Sequence, residues 1–282
     1  ATELRFPAGR FHATPWGRHV NEGVPEWPPS PWRLLRGLVA VWKRALPDLT
    51  EETVRPVLRA LTEPPLFVLP PARTGHTRHF MPWFKKGPGD RTMVFDGFVV
   101  VERDAAVGVL WPGAVLDESE RDTFAKLLMA LGTLGRAESW CSARLLDAAE
   151  AERVQDQVNC RPWDGDPPSG HEVVRVLCAD GDRAFEPWTA LEAERGRGRR
   201  GRGGRHAGTA LDPDWVLCAE TAWLQRSGWS DPPGSRWVWY IRREDCLEGA
   251  PGVRAGSRRV ARSTPQVVRF ALDSNVLPLA TH

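Results

Sequence analysis

Several residue types are scarce in this sequence of 282 residues, and each shortage excludes a class of protein. The five cysteines are an odd number, lie far apart and form no CxxC pair, which argues against a disulfide framework and a zinc ribbon. No apolar run approaches the ~18 residues of a membrane-spanning helix, and no charged-then-apolar leader opens the chain. We therefore expect a globular, cytoplasmic protein with no membrane partner, no metal ion and no cofactor.

Tyrosine and lysine are scarce as well, since one Tyr stands against 14 Trp and only four of the 38 basic residues are Lys. Arginine binds phosphate through its planar fork and stacks on bases, and exposed aromatic rings stack on single-stranded nucleic acid. The net charge of +2 conceals an asymmetry, because residues 144–194 carry 5 basic and 12 acidic side chains whereas residues 195–282 carry 15 and 8. A GC-rich genome explains the Arg excess equally well, and most Trp side chains are expected in the core.

The order of the predicted elements indicates the fold class. Ser30 before Pro31 predicts a helix start, and Asp117 with Glu120 forms a capping box that begins a later helix. The predicted elements are a strand at 2–12, helices at 31–46 and 51–61, strands at 66–69, 92–102 and 106–111, a helix at 118–134 and a strand at 140–146. This order predicts an α+β fold of the ferredoxin-like or RRM-like type.

Three local features of this region also give predictions. Residues 70–89 are rich in Pro and Gly and are predicted to be a loop, after which the strands at 92–102 and 106–111 form a hairpin. Asp96-Gly97 is predicted to be a bulge in the first of these strands. Gly37 lies inside the first helix at a cost of ~1 kcal/mol against Ala, which indicates close packing on the sheet.

The later residues are less regular. The predicted domains are an RRM-like domain at 1–147, a β-rich extension at 148–248, a basic linker at 249–265 and the first strand of a further domain at 266–282. Within the extension, strands are predicted at 173–178, 215–219 and 236–242. The run RGRGRRGRGGR at 195–205 has no apolar residue and is predicted to be flexible, either as a solvated linker or as a weak grip on a nucleic-acid backbone.

The densest group of polar side chains lies in the loop FHATPWGRHVNEG, between a predicted strand and a helix start, where binding loops occur. The helix start offers free N–H groups to a phosphate. The candidate RNA-binding residues here are His12, Thr14, Trp16, Arg18, His19, Asn21, Ser30, Arg33 and Arg36. Of these, Arg33 and Arg36 are expected on phosphates, and His19 and Asn21 on bases. The alternative is a loop whose polar groups bond only to one another.

A second candidate group contains His76, Arg78 and His79. Two His side chains can act as acid and base in RNA cleavage without a metal, so the catalytic candidates are His12, His19, His76 and His79. Alternatively, Arg78 and His79 contact RNA. His76-x-x-His79 is a weak metal motif because no carboxylate or Cys lies close in sequence. Arg236 is a further RNA-binding candidate, beside Trp237 and Trp239, which are expected in the core.

Three sequence runs carry a resemblance to a known family: FHATPWGRHVNEGVPEWPPSPWRLLRGLVAVWKRA, GHTRHFMPW and PPGSRWVWY. They resemble the Csb-two family of type I-G (formerly I-U) CRISPR systems. Members of this family are similar to a Cas-five module, which binds the crRNA handle, fused to a C-terminal Cas-six endonuclease module. Both modules are RRM-like RAMP domains. The resemblance implies that Ser30–Arg36 faces RNA and that residues 266–282 begin a Cas-six half that is otherwise absent from this sequence.

The same resemblance implies a function for the chain. It would bind the 5′ handle of a crRNA and cap one end of the surveillance complex (Cascade), without cleaving RNA itself. Its implied partners are the crRNA, the backbone filament subunit, the large subunit and, through the complex, target DNA. The main alternative is a metal-independent endoribonuclease that processes precursor crRNA. A metabolic enzyme with a phosphate-binding loop is a third hypothesis, although no Gly-rich phosphate motif follows a strand outside residues 195–205.

Overall fold

The computed structural model describes residues 1–82, 87, 89–187, 215–221, 224, 229 and 231–248. These residues belong to one compact unit, Ala1–Ala250, and they form the α+β fold that the sequence predicts. The Arg/Gly run at 195–205, the linker at 249–265 and the strand at 266–282 lie outside the described residues. None of the helices in the described ranges is long and apolar enough to cross a bilayer.

The described helices are α1 (Pro31–Ala45), α2 (Glu51–Ala60), α3 (Glu118–Met129) and α4 (Ala148–Gln155). The strands are β1 (Thr2–Arg5), β2 (Arg10–Phe11), β3 (Leu66–Val68), β4 (Ala72–Pro82), β5 (Arg91–Val101), β6 (Ala106–Leu110), β7 (Ser142–Leu145), β8 (Cys160–Pro162), β9 (His171–Ala179) and β10 (Ser235–Arg243). Seven strands form one sheet in the order β7-β1-β6-β3-β8-β10-β9, and three form a second sheet in the order β2-β5-β4. All neighbouring strands are antiparallel.

Two helix starts confirm the capping patterns of the sequence. The Ser30 hydroxyl accepts a hydrogen bond from the Arg33 N–H at 3.2 Å, with proline at the first helical position of α1. Asp117 and Glu120 form the predicted capping box of α3. The helix ends at Met129 rather than at residue 134, because residues 130–140, here named the strap, leave the helical path and form hydrogen bonds with each other and with His12, the residue after β2.

The predicted hairpin of residues 92–102 and 106–111 is wrong. β5 pairs along its whole length with β4, while β6 lies in the other sheet between β1 and β3. The predicted loop at 70–89 therefore contains a strand. Eight of its eleven residues are exposed, and its few apolar side chains do not alternate with polar ones, so it lacks the pattern by which a half-buried strand is recognised.

The predicted bulge at Asp96-Gly97 is wrong as well. The register of β4 and β5 runs without interruption from Ala72↔Val101 to Pro82↔Arg91. Gly97 has a different function, since a Cβ atom at this position would overlap the carbonyl group of Gly23. The missing side chain lets the turn at residues 20–23 pack directly on β5.

The extension continues the seven-stranded sheet. β9 and β10 confirm the strands predicted at 173–178 and 236–242, whereas residues 216–218 form a single 3-10 turn instead of a strand. β3 meets β8 through the single residue pair Phe67↔Cys160. The Asn159 side chain extends this contact, because it accepts a hydrogen bond from the Leu69 N–H and donates one to the Leu69 carbonyl, both at 2.8 Å. The amide thus replaces a peptide group in the ladder.

Candidate nucleic-acid interface

A cleft with a volume of about 1100 Å³ lies along α1. One wall is the loop Thr14–Arg18, and the opposite wall is formed by Ala130–Gly135 and Trp140 of the strap. Residues three and four apart on α1 form its floor: Arg33, Arg36, Gly37, Ala40, Val41, Arg44 and Ala45. Gly37 therefore borders the cleft and not the sheet, and a Cβ atom there would meet two Leu side chains of the strap at an ordinary 3.4 Å.

A carboxylate of the protein itself, that of Glu26, lies at the start of α1. Glu26 is buried and accepts a hydrogen bond from the Ser30 N–H at 2.8 Å. Its carboxylate also binds Arg33 in a bidentate pair, at 2.8 Å from Nε and 3.0 Å from the terminal nitrogen. Arg33 donates a further bond to the carbonyl of Thr14 at 2.9 Å. Burial lowers the pKa of Arg33, but the pair with Glu26 outweighs burial and raises it. Ser30 and Arg33 are thus engaged within the protein.

Arg36 lies one turn further along and has a different environment. Its guanidinium donates to the Leu217 carbonyl at 3.0 Å and to the Thr221 hydroxyl at 3.2 Å, both of which are neutral. No carboxylate of the described residues pairs with it, and burial lowers its pKa. A positive charge without a counter-ion on the floor of a cleft favours an anionic ligand. Arg44, two turns further along α1, is exposed in the same cleft.

Four Trp side chains line the cleft, namely Trp16, Trp32, Trp140 and Trp229. Trp140 is 61% exposed, whereas Trp32 is buried and Trp16 packs against the core. An exposed ring beside arginines is the arrangement on which unpaired bases stack. Sequence reasoning missed Arg44, Trp140 and Trp229. The helical spacing of Arg44 from Arg33 and Arg36 places all three on one face of α1, so the sequence does contain a signal that Arg44 belongs to the site. The two Trp residues come from segments distant in sequence, for which no such signal exists.

The remaining candidates of the N-terminal loop lie beside the cleft. The Asn21 side-chain oxygen accepts a hydrogen bond from the Phe95 N–H at 3.0 Å, which fixes the turn to β5. The His19 ring accepts a bond from the Asn21 N–H at 3.2 Å. Arg18 pairs with Glu22 at 2.9 Å and, unlike His19 and Asn21, lines the cleft. The side-chain oxygen of Asn21, which was expected to recognise a base, therefore already accepts a hydrogen bond within the protein.

His12 and His79 are both close to the buried carboxylate of Asp96. The His12 Nε2 atom lies 3.8 Å from Asp96 Oδ1, and the His79 Nε2 atom lies 3.8 Å from Oδ2. Arg136 of the strap is 3.1 Å from Oδ1. His12 Nδ1 contacts a carboxylate oxygen of Glu138 at 2.5 Å. These five side chains, here named the Asp96 cluster, combine histidines that are far apart in sequence.

The strand register separates the other proposed histidine pair. Asp96 lies opposite Thr77, so His79, two residues further along β4, shares the face of Asp96. His76 and Arg78 lie on the opposite face, where both contact the Phe95 ring, at 4.9 Å between ring centroids and 5.4 Å from the guanidinium carbon. His76 and His79 therefore cannot serve one reaction centre together.

Access to the Asp96 cluster is uneven. The side chains of His12 and Asp96 are each 5% exposed, whereas His79 is 46% exposed. Partial burial favours a higher pKa for Glu138, but hydrogen bonds from its own backbone and from His12 outweigh it and lower the pKa. Across the described ranges, no group of three or more His, Cys, Asp or Glu side chains could hold a metal ion.

The strap connects the Asp96 cluster to the cleft. The Arg136 N–H donates to the His12 carbonyl at 2.9 Å, and the His12 N–H donates to the Ser139 hydroxyl at 2.7 Å. Gly135 has a φ of +97°, and a Cβ atom there would lie 2.6 Å from the His12 carbonyl oxygen. The same segment thus forms a wall of the cleft and packs against His12.

Arg236 is remote from both groups of residues. It lies on β10, where its Nε atom is 3.8 Å from a carboxylate oxygen of Asp180, and it does not line the cleft.

Comparison of the chain with protein-family models, with curated proteins and with solved structures gave no match.

Proposed function

We propose that this chain is the crRNA-binding subunit of a type I-G CRISPR surveillance complex and that it holds the 5′ handle in the cleft along α1. The observation that carries the proposal is the lining of the cleft, where the described residues contribute four Arg side chains, four Trp side chains and one carboxylate. That carboxylate, Glu26, is already paired with Arg33. Single-stranded RNA is bound by this combination, since phosphates pair with Arg and splayed bases stack on aromatic rings.

The larger sheet supports a RAMP-type fold for this subunit. If β1, β3, β6 and β7 are the four strands of a ferredoxin-like repeat, their order in the sheet is fourth, first, third and second. Helices α1 and α2 join the first strand to the second, and α3 joins the third to the fourth. The hairpin of β4 and β5 is then an insertion between the second and third strands.

In this proposal the side chains of the cleft contact different parts of the RNA. Arg36 and Arg44 seat phosphates, because neither has a carboxylate partner among the described residues. Trp140 offers its exposed ring to a base. Arg33, in contrast, orders the loop wall through Thr14 and Glu26. The three sequence runs that resemble the Csb-two family support the further assignment of the filament subunit, the large subunit and target DNA as partners in the cytoplasm.

The first test removes one phosphate contact. Arg36→Ala should weaken binding to all single-stranded RNAs and reduce the slope of log affinity against log salt by about 0.7, as expected for one phosphate on a single strand. Arg153→Ala removes an equal charge from the exposed surface of α4 and should leave both quantities near those of the parent. Equal salt slopes for the parent and both variants would place the handle elsewhere.

A second test blocks the cleft without removing a native contact. Ala40 is exposed on the floor of the cleft, so Ala40→Glu adds a carboxylate where the proposal places RNA phosphates. Ala149→Glu adds the same charge at an exposed position in the first turn of α4. Fluorescence anisotropy with labelled repeat RNA should show a loss of affinity for the first variant only. Equal affinities of the two variants would contradict binding in this cleft.

The Asp96 cluster favours a second candidate function, a metal-independent endoribonuclease. His79 is exposed enough to reach an RNA 2′-hydroxyl, and the neighbouring Arg136 could stabilise the phosphate charge. The test is incubation of the chain with labelled repeat RNA in EDTA. Binding without scission is the expected result for a handle-binding subunit. Scission that is lost in His79→Ala but retained in His76→Ala, on the opposite face of β4, would establish the nuclease instead.

A further inference from the structure

A second group of Arg and Trp side chains lies on the three neighbouring strands β8, β10 and β9 of the larger sheet. It consists of Arg161, Trp163, Arg175, Trp237 and Trp239 on or next to β8, β9 and β10, and it is named here the Arg–Trp ladder. None of these residues lines the cleft along α1. The ladder is therefore a separate surface, in a region where sequence patterns predict buried Trp side chains.

The strand register explains why these side chains meet. Arg175 lies opposite Trp239 and diagonally from Trp237, on the same face of β9 and β10. Its guanidinium carbon is 4.8 Å from the centroid of the Trp237 ring and 5.3 Å from that of the Trp239 ring. Arg161 repeats the arrangement on Trp163 at 5.1 Å. The result is two neighbouring stacks in which a guanidinium group lies over one or two indole rings.

The ladder is open to solvent and has unbalanced charge. Trp239 is 53% exposed, and Arg161 and Arg175 are exposed too. Neither guanidinium pairs with a carboxylate in the described part of the chain, although Asp231 accepts a hydrogen bond from the indole of Trp237 at 2.8 Å. A guanidinium that stacks on a ring keeps its N–H edge for phosphate oxygens. The exposed ring of Trp239 offers a face on which any base can stack.

We propose that the Arg–Trp ladder binds single-stranded nucleic acid, with a base stacked on Trp239 and a phosphate at Arg175. The charge complementarity of two unpaired guanidinium groups with a phosphate backbone selects this ligand over an apolar protein surface. The ladder contacts a segment of strand different from the one held in the cleft. This assignment is independent of the function proposed for the cleft.

The experiment measures the ladder in the full chain after the cleft has been blocked by Ala40→Glu. Labelled ssRNA and ssDNA of the same mixed sequence serve as probes, with the duplex as a comparison. In this background Trp239→Ala should weaken single-strand binding about 5- to 150-fold, the range measured for loss of one stacked base. Trp239→Phe should retain most of the affinity because the ring remains. Arg175→Ala should weaken binding, and Arg153→Ala should not.

A second measurement does not depend on substitutions. Ultraviolet cross-linking of either single strand to the chain with native ladder residues should place cross-links on the peptide that contains Trp237 and Trp239. The proposal is overturned if Trp239→Ala and Arg175→Ala bind both single strands like the Ala40→Glu parent. It is also overturned if β9 and β10 gain hydrogen-exchange protection only from a protein subunit of the complex and never from a single strand. Tighter binding of ssRNA than of ssDNA would show that the ladder binds RNA, and the reverse preference would show that it binds DNA.

Discussion

Glu26 occupies the position that helix geometry assigns to a phosphate. The N-terminus of α1 has free N–H groups and a positive dipole end, and the protein supplies its own anion through a buried carboxylate. Arg33 pairs with Glu26, so its guanidinium group is engaged within the protein although it lines the cleft. Arg36, in contrast, bonds only to neutral groups among the described residues, so our proposal assigns it, with Arg44, to RNA phosphates. The contrast between the two arginines depends on a residue outside the helix.

This assignment gives a stability prediction. Glu26→Gln removes the negative charge from a largely buried pair and leaves the Arg33 charge poorly compensated, so the free energy of unfolding should fall by about 2 kcal/mol. This value is below the ~3–5 kcal/mol of a fully buried pair because part of the Arg33 side chain reaches solvent. Urea unfolding measures the change. Glu22→Gln removes the charge from the exposed pair with Arg18 and should lower the free energy of unfolding much less, so equal losses would contradict the structural importance of Glu26.

Among the elements, the hairpin of β4 and β5 differs most from its prediction. Eleven residues on each strand pair without a break, yet β4 presents mainly exposed polar side chains. The hairpin gains stability on one face from the turn at residues 20–23, which Asn21 fixes through the Phe95 N–H. A loop expected to bind bases is thus a packing element of the smaller sheet.

The contact between this turn and β5 depends on Gly97. Gly97→Ala would force a methyl group into the Gly23 carbonyl, so the turn must move away from the strand. We expect a loss of about 1–3 kcal/mol, as for other overpacked sites, and faster hydrogen exchange over residues 18–23. Gly113→Ala is the control, since a methyl group there meets open space at an ordinary φ. Unchanged exchange in Gly97→Ala would show that the turn does not rest on this strand.

At the scale of the molecule, local patterns predicted most elements but not how they assemble. The capping residues Ser30 and Asp117 act over three or four positions, so the helix starts were predictable. The partner of β5 depends on a strand about twenty residues away, and local spacing favoured the nearer β6. The Asp96 cluster joins residues 12, 79, 96, 136 and 138, for which no local signal exists. The cleft was predictable only for α1 and for Thr14, Trp16 and Arg18 of the loop before it.

The cysteines allow a prediction for the whole molecule. All five are free, and every one except the half-buried Cys218 is buried. Burial raises the pKa of Cys141 and Cys178 to about 12 and that of Cys246 to about 11. In the unfolded chain a thiol titrates near ~8.5, so these thiols stabilise the fold fully below that pH. Their contribution is lost progressively as the pH rises from about 8.5 to the folded values of about 11 and about 12.

Thiol labelling checks this expectation. At pH 8, a thiol reagent should modify Cys218 first and the four buried thiols only when the molecule unfolds. Urea titrations of the free energy of unfolding should show lower stability at pH 10 than at pH 8. Rapid labelling of all five thiols in the absence of denaturant would contradict the burial of the other four. Cysteine labelling in urea provides the control for full reagent access.

The joint between β3 and β8 has an evolutionary consequence. One backbone pair links these strands, and side chains supply the nearby bonds: the Asn159 amide, the Tyr240 hydroxyl on the Pro65 carbonyl at 2.9 Å, and Arg242 on the Trp27 carbonyl. Backbone pairing is insensitive to sequence, whereas side-chain bonds change with each substitution. Substitutions at these few positions can therefore weaken or strengthen the contact between β3 and β8. The backbone hydrogen bonds among the strands on either side of this contact stay unchanged. Descendants of such a protein can vary the rigidity of the sheet between β3 and β8 while the fold stays the same.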